Sequence, residues 1–304
     1  MRAVLRLVKA NVAEVGAKVV EPPKGFMLVP KVGEFRVKIY ESRLDYLLAQ
    51  PEGYSDVLPY KGPLRVAPEP WTPYCQWHNG PLDEADDPTR RLYCTVQAEG
   101  FCPKHKRSDR AIYTLCLDSR SSSALEACKR IDESLKSEYV VYMLDFGGDK
   151  PKVGTTRKFR VLERIAEQPH LLATVLLETD SLYEARRTEI ELSKRGIGVE
   201  TWRHKWIFGH DLYFAALRLS EAAQRASKYV GVGWNGDMLM VTADVPSRPS
   251  IVDAKNLAGR QLDIIGLWGG FLLLGSPRDP LAVKYSPLLH KDSLLVEREE
   301  LGLH

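Results

Sequence analysis

Long apolar runs are missing from this chain of 304 residues. The longest nearly uncharged one, Ile264 to Leu274, falls well short of the ~20 residues a helix needs to cross a bilayer. The opening Met1-Arg-Ala-Val-Leu-Arg-Leu-Val-Lys9 places a lysine where the apolar core of a secretory signal would continue. No membrane partner is expected, and the chain reads as cytoplasmic. Charge of one sign is also missing: 43 Lys and Arg against 40 Asp and Glu leave a net +3. No global field announces a nucleic-acid partner, so any basic surface must be local. Cysteine is scarce and odd in number, at five. In a reducing compartment a disulfide framework is not expected, and metal binding becomes the first question to ask of those cysteines. Internal repeats and low-complexity segments are absent. With 44% hydrophobic and 27% charged residues, composition excludes a disordered or collagen-like chain. The length predicts two or three modules.

Residues 1–70 read as a β-rich region: Phe26-Met-Leu-Val29 is a short apolar run, and Phe35-Arg-Val-Lys-Ile-Tyr40 alternates as a half-buried strand does. Five prolines at 59, 63, 68, 70 and 73 forbid helix and predict an extended connector with a module boundary. Residues 71–135 hold all five cysteines and little periodicity before a short helical pattern from Ala124 to Leu135. From 136 to 228 the pattern is regular. Tyr139–Leu144 and Pro151–Gly154 predict strands around a Gly147-Gly148-Asp149 turn. Helix is expected over Arg157–Gln168, strand over Ala173–Leu177, and helix over Ser181–Arg195, ended by Gly196. An apolar helical stretch, Asp211 to Ala226, follows. Residues 229–304 read as a small β domain, with hairpin turns at Trp234-Asn-Gly-Asp237 and Trp268-Gly-Gly-Phe271.

Two constellations carry chemistry. Cys75-Gln-Trp-His78 and Cys102-Pro-Lys-His105 are knuckles of the same Cys-x-x-His spacing. Two ligands three positions apart on a tight turn reach one ion, and two such turns complete a tetrahedral Cys2His2 structural zinc site. Cys94 is the alternative fourth ligand, while Cys116 and Cys128 are read as small apolar packing residues. The second constellation is helical. Winding residues 181–195 at 100° per residue puts Glu189 near the middle of an apolar face made by Leu182, Tyr183, Ala185, Ile190 and Leu192. A carboxylate there requires a metal, a cation or hydrogen-bond donors. Arg186, three positions earlier, is the ordinary alternative. On the preceding helix Arg157, Arg160 and Arg164 share one side and offer guanidinium forks to phosphate, although solvated helix faces look the same. Between Lys150 and Lys205 there are 12 basic and 8 acidic residues, so that segment carries +4 and the remainder −1.

Val140-Val-Tyr142, the turn, Lys152-Val-Gly154, Arg164 and Glu189 together resemble the GIY-YIG nuclease unit. More closely, Gly100-Phe-Cys-Pro-Lys-His105, Lys152-Val-Gly-Thr-Thr-Arg157, Thr-Glu189-Ile-Glu-Leu, Thr201-Trp-Arg203 and Ile265-Gly-Leu-Trp-Gly-Gly-Phe-Leu-Leu-Leu274 resemble the family called domain of unknown function 2797, over roughly residues 75–290. The resemblance implies an α+β fold class: a small zinc-binding module plus a GIY-YIG-like domain, flanked by N- and C-terminal β-rich regions. It also implies a catalytic set. Glu189 would hold one Mg²⁺ or Mn²⁺, Tyr142 would orient or deprotonate water, and Arg164 would stabilise charge on phosphorus. Lys152 stands where the family has a tyrosine, as a phosphate contact or as a sign that cleavage is lost, and Val140-Val141 stand in place of Gly-Ile. In that family the second ligand of each knuckle is commonly cysteine; here both are histidine. Arg157, Arg160 and Arg203 are the expected contacts to DNA or RNA, with Tyr74, Trp77, Phe101, Trp202 and Trp206 available to stack on bases. Three readings follow: a metal-dependent endonuclease, a non-catalytic nucleic-acid adaptor, and a protein interaction scaffold.

Overall fold

The computed structural model of the protein describes residues 1–23, 33–82, 86–118, 121–199, 211–243 and 249–302. Two long strands open it, β1 (Arg2–Val20) and β2 (Phe35–Pro51), followed by the short β3 (Leu58–Tyr60) and β4 (Leu64–Arg65). Helices α1 (Asp109–Asp118) and α2 (Ser122–Ser134) precede strands β5 (Tyr139–Asp145) and β6 (Lys152–Arg157), after which come α3 (Val161–Ala166), β7 (Leu172–Thr179), α4 (Leu182–Lys194) and α5 (Leu212–Val230). The chain then returns to strands: β8 (Met238–Thr242), β9 (Ser250–Val252), β10 (Gln261–Leu262), β11 (Ile264–Trp268), β12 (Phe271–Ser276), β13 (Asp279–Lys284) and β14 (Leu294–Leu295). The architecture is mixed α/β and rich in strands.

Two compact units form, each from segments distant in sequence. The first gathers residues 1–11, 42–114 and 243–304; the second gathers 12–41 and 115–242. Neither coincides with the consecutive segments 1–70, 71–135, 136–228 and 229–304 read from the sequence. The reason is that β1 and β2 each contribute one end to either unit, which no local pattern encodes. The proline-rich stretch is likewise not a boundary. It supplies β3, which pairs with β2, and β4, which pairs with β10, inside the first unit.

In the first unit β14, β1, β2 and β3 lie in order, and β11, β12, β13 and β9 form a separate four-stranded sheet. The Trp268–Phe271 hairpin is as expected. Gly269 and Gly270 both have positive φ, 55° and 86°, the requirement of a two-residue turn that matches strand twist. Leu48, Val57 and Tyr93 form a small core with Leu7 and Tyr46 against it.

In the second unit the order is β1, β2, β8, β7, β5, β6. All seven residues of β5 are buried, because it is central and helices α4 and α5 both pack on it. One face of the sheet carries Tyr142 and Leu144 into a cluster with Ile165, Ala166, Ala173 and Val241. Each of the larger side chains among them contributes about 2 kcal/mol through burial. Helix α4 starts as its sequence predicts, with Ser181 Oγ accepting from the Glu184 amide. Asp132 of α2 strengthens that start by accepting from Ser181 Oγ and from the Leu182 and Tyr183 amides, at 2.7–3.0 Å. A carboxylate at a helix N-terminus satisfies orphan donors and complements the dipole.

Three expectations change here. Residues 157–168 are not one helix: β6 runs through Arg157, residues 158–160 form a 3₁₀ turn, and α3 begins only at Val161. Trp234–Asp237 is not a hairpin but leads from α5 into β8, which joins the second unit beside β2 in parallel. Cys116 and Cys128 are joined by a disulfide between α1 and α2 rather than packed as separate apolar residues. Among the described residues no helix is long and apolar enough to cross a membrane.

His170 generates a prediction for this unit. Its Nδ1 lies 2.8 Å from the Gln168 carbonyl and its Nε2 accepts from the Val241 amide, so the ring is held neutral. Burial pushes its pKa down to about 4. A lowered histidine pKa stabilises the fold above the unfolded value near 6.5, and this stability is lost as pH falls toward 4. The loss amounts to about 3 kcal/mol. Denaturant unfolding of wild type and His170→Gln should converge between pH 6.5 and 4; parallel curves would show that the ring is not held neutral.

Candidate functional site

Residues 73–79 and 92–100 run antiparallel, with Cys75 N–H bonded to the Val96 carbonyl and Cys94 N–H to the Trp77 carbonyl. This pairing sets Cys94 across from the first knuckle. Gly100, at φ 69°, turns the chain through a left-handed conformation that side chains disfavour. The chain then enters the second knuckle, closed by the His105 and Lys106 amides on the Cys102 carbonyl. Cys75, Cys94, Cys102 and His105 thereby present four ligand atoms that all lie within 4.8 Å of one another. Cys94 takes the position the sequence reading gave to His78.

The spacing tests what this cluster can hold. A tetrahedral ion with Zn–S of about 2.3 Å and Zn–N of about 2.0 Å separates two sulfurs by about 3.8 Å and sulfur from nitrogen by about 3.5 Å. Here Cys94 and Cys102 sulfurs are 3.9 Å apart, and His105 Nδ1 lies 3.6 Å from Cys75 Sγ and 3.3 Å from Cys102 Sγ. The donor set fits a tetrahedral ion. Cys75, Cys102 and His105 are buried, and Cys94 is the most open of the four. Burial pushes the Cys94 thiol up to about 11. Burial opposes ionisation at Cys102 too, but hydrogen bonds from Cys75 and from the His105 and Lys104 amides bring it below the usual thiol range. Three thiolates at once need a cation among them.

Two supporting residues escaped the sequence reading. Trp77 stacks on the His105 ring, with centroids 4.2 Å apart and planes 3° from parallel, so it fixes the imidazole. Arg6, 2% exposed, donates to the Cys75 and Cys94 carbonyls at 2.9 and 2.8 Å and to Gln50 Oε1 at 2.7 Å. His78 faces elsewhere: its Nδ1 accepts from the Gly80 amide and its ring lies 4.9 Å from Tyr93. Burial, with Arg110 and Arg91 beside it, drives its pKa down to about 2 and keeps the ring neutral.

In the second unit Tyr142 pairs across the strands with Gly154, and a Cβ at 154 would stand 2.5 Å from the tyrosine hydroxyl. The ring crosses over this glycine and is 1% exposed, with its hydroxyl accepting from Gln168 Nε2 at 2.8 Å. Burial raises its pKa; after it, Arg164 and Gln168 act downward and Glu189 and Glu167 upward. Arg164 and Glu189 thus both act on the Tyr142 hydroxyl through their charges. A raised pKa leaves the phenol protonated and unable to take a proton from water.

Glu189 is 5% exposed and bonded at 2.7 Å to Arg186, itself 4% exposed. The basic stripe is also not free. Arg157 is buried at the end of β6 with its guanidinium over the Phe159 ring, Arg160 pairs with Glu163 and Glu167, and Arg164 pairs with Glu167 at 2.5 Å. Lys152 Nζ lies 3.4 Å from the Val153 carbonyl. Arg203, Trp202 and Trp206 lie outside the described residues.

No family model, curated protein or solved structure matches the chain.

The metal cluster yields the first mutational prediction. Cys94→Ser should reduce bound metal from about one ion per chain to a small fraction, whereas His78→Gln should leave it intact, because only the former removes a tetrahedral ligand. Elemental analysis of both variants checks this, and the opposite ranking would return His78 to the ligand set.

Proposed function

We propose that this protein is a zinc-containing nucleic-acid-binding adaptor built on a nuclease-like scaffold that has lost its metal-dependent chemistry. The zinc assignment rests on the donor set, since three thiolates and one imidazole at tetrahedral spacing form a closed structural site with no position for a reacting water. The observation that carries the loss of chemistry is the Arg186–Glu189 pair. A divalent ion on Glu189 would have to displace a buried guanidinium, and breaking such a pair by removing one partner costs about 3–5 kcal/mol. The residues present do not fit Mg²⁺ or Mn²⁺. A buried, protonated Tyr142 and a lysine at 152 agree with this reading. The nucleic-acid partner rests on the +4 carried by residues 150–205 and on the GIY-YIG-like placement of Tyr142 over Gly154.

A second reading, an active endonuclease, is favoured by the convergence of Tyr142, Arg164 and Glu189. One experiment separates the two. Labelled single-stranded, duplex and structured oligonucleotides are incubated with the protein in Mg²⁺ or Mn²⁺. Binding without cleavage is expected, and Glu189→Gln should lower stability by about 3 kcal/mol while leaving affinity unchanged, because Arg186 loses its counter-ion. Metal-dependent cleavage that disappears in Glu189→Gln would establish the endonuclease instead.

A further inference from the structure

The arginines that the sequence offered to phosphate are occupied. Arg160, Arg164, Arg187, Lys158 and Lys194 all lie in ion pairs with glutamates of the second unit. The second metal knuckle behaves differently. Lys104, Lys106 and Arg107 are exposed, and none of their side chains pairs with another described residue. Three cations in four positions surround His105, whose Nδ1 points inward to the sulfurs. The acids nearest in sequence, Glu99 and Asp109, border the turn rather than interrupt it.

The charge of the cluster does not cancel these cations. A divalent ion with three thiolates carries −1, and Arg6, buried against the Cys75 and Cys94 carbonyls, already supplies +1. The turn is also stiffened by the amides of His105 and Lys106 on the Cys102 carbonyl, and a bound ion would fix it further. Cations held on a rigid turn lose less freedom when they meet a phosphate chain. Phe101 and Trp77 lie beside them, both half-buried, the indole stacked on His105 yet partly exposed. Aromatic surface next to spaced cations suits unpaired bases, which stack while the backbone is neutralised.

We propose that the knuckle turn, with Lys104, Lys106 and Arg107 on the phosphates and Trp77 and Phe101 against the bases, is the single-stranded nucleic-acid contact of this protein. The proposal rests on the adaptor reading and locates its interface in the first unit, whereas the motifs that resemble a nuclease belong to the second.

The test measures fluorescence anisotropy of a labelled 20-nucleotide oligo-dT and oligo-U over a salt series, for metal-loaded wild type and for Lys104→Gln/Lys106→Gln/Arg107→Gln. Wild type should bind single strands more tightly than a duplex of equal length. The triple variant should keep its metal, bind at least tenfold more weakly, and show a salt slope smaller by about two, since each lost phosphate contact removes about 0.7 on a single strand. Single Gln variants, each losing about a third of the slope change, serve if the triple variant loses metal. Trp77→Phe should retain the salt slope and weaken affinity. Binding by wild type with no change in the knuckle variants overturns this interface but leaves the adaptor reading. No oligonucleotide binding by wild type, or binding only to phosphatidylserine vesicles, overturns both.

Discussion

A buried guanidinium on the first strand ties the first unit together. Arg6 reaches the carbonyls of two cysteines of the Cys/His cluster, 69 and 88 residues away, and Gln50 on β2. Burial lowers its pKa to about 10, so it remains charged at neutral pH and must be satisfied by hydrogen bonds. Its hydrogen bonds to Gln50, Cys75 and Cys94 do this, with His290 Nδ1 3.3 Å from Nη1 and the rings of Tyr74 and Tyr93 near its carbon at 5.9 and 5.0 Å. The arginine couples β1, β2 and the cysteine-bearing segments into one arrangement, to which a bound ion would add folding energy.

The same chemistry is used in opposite ways in the two units. Around the cysteines, the buried cation contacts backbone oxygens and leaves the sulfurs for an ion. On α4, the buried cation takes the carboxylate itself, and Arg186 holds Glu189 at 2.7 Å. The first arrangement leaves four ligand atoms grouped where a metal ion could bind, and the second gives the carboxylate a counter-ion from the protein. The Tyr142 ring lies over Gly154 and is sealed by Ile165, Ala166 and Gln168.

Much of the second unit was legible in the sequence because its signals are local. Ser181 and Gly196 bracket α4, Asp211 and Gly231 bracket α5, and Tyr139–Leu144 is apolar throughout because β5 is covered on both faces. The helix expected from Arg157 failed for a local reason as well. The strand pairing with β5 extends through Arg157 opposite Tyr139, and ladder bonds there outweigh a weak helical period. Helix α1 was missed although Ile112, Leu115 and Cys116 stand at helical spacing; of its residues only Cys116 is fully buried.

The sequence by itself pointed to the cysteine-rich segment, to three of the four clustered side chains (Cys75, Cys102 and His105) and to the strand–turn–strand start of the α+β unit. These follow from spacing on turns and helices, where neighbours in space are neighbours in the chain. Only the tertiary structure decided that Cys94 replaces His78, that Trp77 and Arg6 support the ligands, and that the chain folds into two discontinuous units. It also paired Glu189 with Arg186. Those outcomes depend on pairings between distant segments and on burial, which sets whether a charge meets water, metal or a counter-ion. No single-residue pattern records them, because desolvation is a property of what surrounds a side chain and not of the side chain alone.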